Sequence, residues 1–164
     1  MTAPLAPAIL PAPKDVRELL EGLLGKDVTV SPGAPVTPSP DRPVAVAVYV
    51  APDMSVNALC LMDLGAAAYT GGALALLPPG GCQDAVEEDG ELSTMLVEAV
   101  HEVVNVLSAL LNTPGAPHSK LHRLYAPGEE IASDLVGMLA AFNRIDLVVE
   151  VQGYGKGALS LVRP

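Results

Sequence analysis

Aromatic residues are scarce in this sequence, with one Phe, four Tyr and no Trp among 164 residues. A hydrophobic core must therefore be built mainly from Ala, Val and Leu. The shortage also removes the usual stacking platform for single-stranded nucleic acid. Basic residues are few as well, since nine Lys and Arg stand against nineteen Asp and Glu and the net charge is −10. Affinity for nucleic acid or an anionic membrane surface depends on basic side chains, so neither partner is expected.

The sequence also lacks an uninterrupted hydrophobic run long enough to cross a membrane. The longest apolar stretch, Leu59 to Pro79, is broken by Asp63, Thr70 and several Gly, which argues against a transmembrane helix. No basic region precedes the apolar residues near the N-terminus, as a secretory signal would require. These features predict a cytoplasmic protein.

Residues that bind metals are few and scattered. Cys60 and Cys82 have no CxxC spacing, and they are expected to be buried or incidental thiols in a reducing cytoplasm. The only histidines are His101, His118 and His122, of which the first falls in a predicted helix and the others on a strand and its approach. Four zinc ligands cannot be found at usable spacing, so no metal site is predicted.

Length and hydrophobicity favour one folded domain, because 164 residues, half of them hydrophobic, can bury one substantial core. Residues 1–13 are rich in Ala and Pro and poor in charge, and they are expected to be a flexible lead-in. The domain is expected to cover residues 14–164.

Hydrophobic periodicity and turn residues predict the order of the elements. The first helix is expected to start at an Asp15 N-cap and to end at Gly25. Small residues in the second helix, such as Gly71 and Gly72, should allow close packing against another helix or the sheet. Successive hairpins predict an α+β domain, an antiparallel sheet with helices packed on it. The expected helices are Lys14–Leu24, Leu64–Leu76, Glu91–Asn112 and a short one within Gly128–Asn143 (stripe Ile131, Leu135, Met138, Leu139 and Phe142); the strands are Asp27–Ser31, Val44–Val50, Val56–Met62, His118–Tyr125, Arg144–Gln152 and Lys156–Val162; the loops are Pro32–Pro43 and Pro78–Gly90.

The segment Glu91–Asn112 is amphipathic and divides cleanly into two faces. At about 100° per residue, its polar side carries Glu98, Glu102 and Asn105 at i, i+4 and i+7, so these side chains form one row, here called the polar ridge. Thr94 and Asn112 lie on the same side. The opposite side is an apolar stripe that should anchor the helix on the core: Leu96, Val100, Val103, Val104, Leu107, Leu110 and Leu111.

The polar ridge is unusual for plain surface in two respects. Glu98 and Glu102 are like charges one turn apart, which costs a few tenths of a kcal/mol in an isolated helix. Asn105 is a poor helix former in mid-helix because its side chain competes for the backbone. Taken by itself, however, the ridge is also typical of the solvated surface of an acidic protein.

The sequence Glu102-Val-Val-Asn105, followed by 21 residues and then Pro127, resembles the signature of the CheC–CheX–FliY family of chemotaxis phosphatases. That signature has Asp or Ser four residues before the Glu, where this chain has Glu98. The resemblance covers roughly residues 14–164 and is nearest to the single-site CheX type. Two-site members carry a second ExxN on another helix, but this chain has Glu21 where that Asn is needed, so one site is expected.

The resemblance implies a CheX-like fold and a phosphatase that acts on the aspartyl phosphate of a CheY-type response regulator receiver domain. Asn105 would enter the receiver pocket and orient the hydrolytic water, and Glu102 would dock to the receiver lysine. Glu98 and Pro127 would contribute to partner binding. The resemblance implies no cofactor of the protein's own, since the receiver supplies Mg²⁺, and it implies a possible homodimer.

Two interpretations from other classes stay open. The chain could be a non-catalytic CheX-like module that recognises a signalling partner through the same ridge, or a structural oligomerisation domain. The intact Asn105 favours catalysis, because a binding module does not need an amide that orients water.

Overall fold

The computed structural model describes residues 10–115 and 118–164, so residues 1–9 of the predicted flexible segment lie outside the described residues. A π-helical turn, Ala85–Asp89, follows the third helix, and 3₁₀ turns, Ser108–Leu110 and Gly137–Ala140, follow the fourth and fifth. The elements in chain order are α1 (Pro13–Leu24), β1 (Val28–Pro32), β2 (Val44–Val50), β3 (Val56–Asp63), α2 (Leu64–Leu74), α3 (Pro79–Asp84), α4 (Thr94–Leu107), β4 (Lys120–Tyr125), α5 (Ser133–Val136), β5 (Arg144–Val151) and β6 (Gly155–Val162).

The six strands form one sheet in the order β1-β5-β6-β3-β2-β4, and every neighbouring pair is antiparallel. The hairpins β2–β3 and β5–β6 are those that the sequence predicts. Asp63 ends β3 and at once caps α2, because its Oδ1 accepts from the Ala66 N–H at 2.8 Å. The predicted α+β class is confirmed.

Helices α1, α2 and α4 cover one face of the sheet and build the larger core with side chains from β2, β3, β5 and β6. The opposite face has a smaller core, covered by the loop around Val36 and by residues 131–141, with Leu135 of α5 buried in it. Because both faces are covered at its centre, every residue of β2 is buried. The same property explains why β2 is a continuous apolar run.

Small residues let α2 approach its neighbours closely, as predicted. A Cβ added at Gly71 would lie 2.9 Å from Val100 Cγ2 and 3.3 Å from Leu96 O, so α2 and α4 are almost in backbone contact there. A Cβ at Gly72 would overlap Cys82 Sγ of α3. The position of α4 is therefore fixed by a helix on one side and by the sheet below it.

The prediction of a loop over Pro78–Gly90 is wrong, since this segment contains α3 and the π-helical turn. Pro79 occupies the first turn of α3, where its missing N–H costs nothing. Cys82 and Ala85 are buried, but two buried residues make too short a stripe for a periodicity search. Contact with α2, which no local pattern encodes, stabilises these turns.

Two smaller predictions are also wrong. Asp15 is not the N-cap of α1, because Pro13 starts the helix earlier; Ala12 is the cap, and Asp15 Oδ2 accepts from its N–H at 3.0 Å. Phe142 is not part of an apolar stripe. It is fully exposed, because the 3₁₀ turn after α5 ends at Ala140.

Candidate functional site

The polar ridge lies on the exposed side of α4, where Glu98, Glu102 and Asn105 are all solvent-exposed. The helix begins at Thr94, with Ser93 Oγ accepting from the Leu96 N–H at 3.3 Å. The opposite side of the helix is anchored in the core by side chains that are at most 4 % exposed: Leu96, Val100, Val103, Val104 and Leu107. The ridge is thus a protruding row of polar groups on a rigidly packed support.

The side chains of the polar ridge have no internal partner in the part of the chain that the structure describes. Within residues 10–115 and 118–164, no hydrogen bond or ion pair involves the side chain of Glu98, Glu102 or Asn105. Their hydrogen-bonding capacity is therefore directed to solvent or to another molecule.

Asn105 lies in the last turn of α4, where the final four carbonyl groups of a helix need partners from outside it. Ser108 Oγ donates to Asn105 O at 2.6 Å. Tyr49 Oη, which comes from the buried strand β2, donates to Val104 O. The backbone on both sides of the Asn105 side chain is thus held by a hydroxyl group.

Asn112 lies on the predicted polar side but has a structural role. Its Nδ2 donates to Ser119 O at 2.9 Å and to Ser108 O at 3.1 Å, and its Oδ1 accepts from the Ser119 N–H at 2.7 Å. These bonds connect the end of the helical segment to the start of β4. Asn112 therefore does not extend the ridge.

Pro127 lies near the opposite end of α4 from Asn105. It lines a cleft with Gly90 and Glu91, which precede the helix, and it is half-buried. The helical rise of 1.5 Å per residue separates Thr94 from Asn105 by about 16 Å along the axis. Glu102 and Asn105 thus share one surface, and any contribution of Pro127 to partner binding would be made at the other end of the helix.

A small apolar cavity of about 250 Å³ adjoins the ridge, lined by Val97, Glu98, His101 and Leu124. Leu124 comes from β4, so the cavity exists only because β4 lies alongside α4. The sequence places His101 in a predicted helix and gives no sign of this cavity. A partner that meets Glu98 would find an apolar recess beside it.

The described residues contain no group of three or more His, Cys, Asp and Glu side chains that could hold a metal ion. Cys60 and Cys82 are free, buried thiols, and burial raises the pKa of Cys60 to about 12. No single described helix is long and apolar enough to span a membrane. The segments 79–89 and 94–110 reach the required length and hydropathy only when they are taken together, and the chain bends by 106° between them.

Comparison with known proteins gives a match in structure but not in sequence. No family model matches the chain, and no curated protein matches it. FliM in the FliM–SpeE complex from H. pylori superposes with a TM-score of 0.62 at 11 % identity, covering 93 % of this chain and 81 % of that one. The FliM middle domain from Vibrio alginolyticus gives 0.59 at 12 % identity, with 93 % and 88 % covered. FliY from Thermotoga maritima gives 0.52 at 13 % identity, with 90 % and 81 % covered.

Proposed function

We propose that this protein, which has the fold of FliY and of the FliM middle domain, is a phosphatase for the aspartyl phosphate of a CheY-type response regulator. The observation that carries the proposal is the Asn105 carboxamide, which is exposed on a rigid helix about one turn after the exposed Glu102 and has no partner among the described residues. The match of Glu102, Asn105 and Pro127 to the family signature supports the same assignment.

The proposed chemistry needs little from the phosphatase. An aspartyl phosphate is a mixed anhydride, and its hydrolysis requires a water in line with the scissile bond and stabilisation of charge on the phosphoryl oxygens. The receiver would supply Mg²⁺ and a lysine. The amide of Asn105 can accept one hydrogen bond from the water and donate another without adding charge. No nucleophile or cofactor of the protein's own is needed.

Glu102 would pair with the receiver lysine and fix the docking geometry. The C-terminal end of a helix carries partial negative charge, so the last turn of α4 adds to the attraction of Glu102 for a cation. The same charges would repel an acidic receiver pocket. Glu98, where the signature has Asp or Ser, should select receivers that place a basic residue opposite it, and the apolar recess beside it could take a side chain of that partner.

The decisive experiment measures phosphate release from a phosphorylated CheY-type receiver with no addition, with wild type, and with Asn105→Ala, Asn105→Asp and Glu102→Ala. Wild type should accelerate release, both Asn105 variants should abolish the acceleration, and Glu102→Ala should weaken receiver binding with little change in stability. Glu88→Ala removes an exposed carboxylate from the turn after α3 and serves as the matched charge control. Equal release in all samples would refute the phosphatase assignment.

A non-catalytic binding module is the second candidate, because the FliM structures superpose with higher TM-scores than FliY and one of them is a complex with SpeE. Titration of the receiver separates the two candidates: binding at the ridge without faster hydrolysis supports the module. A homodimer and a cytoplasmic location remain part of the proposal, and light scattering after size-exclusion chromatography tests the former.

A further inference from the structure

We infer that Tyr49 is a positioning residue for Asn105: its buried hydroxyl fixes the last turn of α4 and thereby holds the carboxamide in its working orientation. This inference rests on the proposed function. Tyr49 is 0 % exposed and does not touch solvent or a docked partner, so its effect must pass through the backbone of Val104.

The contact is specific in position. Val104 immediately precedes Asn105. Its carbonyl is one of the last four in the helix, and such carbonyl groups lack the N–H donor that a following α-helical turn would provide. The next carbonyl, that of Asn105, receives the Ser108 hydroxyl. Two successive carbonyl groups are thus held by hydroxyl donors, one from the sheet and one from the helix end.

Apolar packing alone would not fix this turn as tightly. The neighbours of Tyr49 on the helix-facing side of β2 are Ala45 and Ala47, whose small side chains leave room for its ring under α4. A Phe would fill the same space. The hydroxyl is costly to bury unless it is hydrogen-bonded, and its bond to Val104 O is directional whereas hydrophobic contact is not. The hydroxyl therefore adds a directional restraint between β2 and the last turn of α4.

The donor is present at every working pH. Burial is the main cause that raises the pKa of Tyr49 well above its ordinary value, and Cys60 nearby adds to it. The hydroxyl consequently stays protonated, and the positioning effect should not depend on pH.

The test compares Tyr49→Phe with Tyr154→Phe. Tyr154 is also buried, and its hydroxyl also donates to a backbone carbonyl, Leu77 O at 2.6 Å, but it lies away from α4. Each variant removes one hydroxyl that donates to a backbone carbonyl, and because the Tyr154 bond is only partly buried, Tyr154→Phe should lose no more stability than Tyr49→Phe. Only Tyr49→Phe should lower the maximal rate of receiver dephosphorylation, by about tenfold, since displacements near 1 Å can cost on the order of a hundredfold. Its dissociation constant for the receiver should stay within about twofold of wild type.

A second variant, Ser108→Ala, removes the other restraint at an exposed helix end and should lower the maximal rate in the same way. Equal maximal rates for Tyr49→Phe and Tyr154→Phe would overturn the inference. If wild type itself fails to accelerate hydrolysis, the proposed function fails, and backbone NMR order parameters at Asn105 still decide the positioning. A lower order parameter at Asn105 in Tyr49→Phe but not in Tyr154→Phe supports the inference, and a value equal to wild type in Tyr49→Phe overturns it.

Discussion

The contact between α2 and α4 at Gly71 allows a quantitative test of how closely the helix that carries the ridge is packed. Replacing Gly by Ala inside a helix normally stabilises it by about 0.5–1 kcal/mol. At Gly71 the new methyl would lie 2.9 Å from Val100 Cγ2 and 3.3 Å from Leu96 O. Val has essentially one rotamer in a helix, so it cannot turn away. Overpacking of this kind costs about 1–3 kcal/mol, so Gly71→Ala should be neutral to destabilising.

Gly22 of α1 is the matched control, because a Cβ there meets nothing within 4 Å. Gly22→Ala should gain only the stabilisation that Ala normally gives a helix relative to Gly. The free energies of unfolding of the two variants should therefore differ by about 1–3 kcal/mol. Urea denaturation measures this difference, and in thermal melts each kcal/mol corresponds to roughly 2–4 °C for a domain of this size. Equal stabilisation by the two substitutions would show that α2 and α4 are not in contact at Gly71, and the argument for a rigid support would fail.

Three further outcomes follow from the structure. Gly72→Ala should destabilise the fold because its methyl overlaps Cys82 Sγ, and Cys82→Ala should recover part of the loss, which a double-mutant cycle by urea denaturation detects. Iodoacetamide at pH 8 should leave Cys60 and Cys82 unmodified in the folded protein, because burial raises the pKa of both thiols, and should alkylate both in urea; mass spectrometry distinguishes the states. Glu129→Gln should be less stable than wild type near pH 7, because hydrogen bonds from the Ala126 N–H and then from Arg123 hold the pKa of Glu129 below its ordinary value of 4.5. The difference in stability should shrink as the pH falls through and below 4.5, since the wild-type carboxylate is then protonated. Thermal melts at a series of pH values test this.

Local pattern was sufficient to predict most of the sheet. Val44–Val50 is a run rich in Val, and the mostly apolar strand that begins at Val56 follows it after a Pro-Asp turn, so their approximate bounds and their pairing followed from the sequence. The helix that begins at Leu64 was likewise predicted from its Ala- and Gly-rich composition, and the helix that begins at Thr94 from its apolar stripe. The helical turns at 79–89 could not be predicted in this way, because they are stabilised by the packing of Cys82 against Gly72, a residue of another helix.

The candidate site divides in the same way. The helical period alone places Glu98, Glu102 and Asn105 on one exposed row, and the structure has them there. The hydroxyl of Tyr49 under Val104 depends on which strand lies beneath α4, and its register cannot be read from either segment alone. The recess beside Glu98 similarly needs Leu124 from β4. Sequence thus identifies the groups exposed to a partner, and only the tertiary structure shows what holds them.

The unequal covering of the sheet has a consequence for how the protein would open under stress. One side carries three long helices, whereas the other is sealed mainly by the four residues of α5, its 3₁₀ turn and the loop at Val36. So short a helix has little stability of its own, and amide exchange should be fastest there. Its detachment would uncover Val46 and Val48 within an uncharged, β-branched strand, the type of segment that aggregates. The shelf life of the protein would then be limited by aggregation through the face that α5 covers, while α4 and its ridge remained folded.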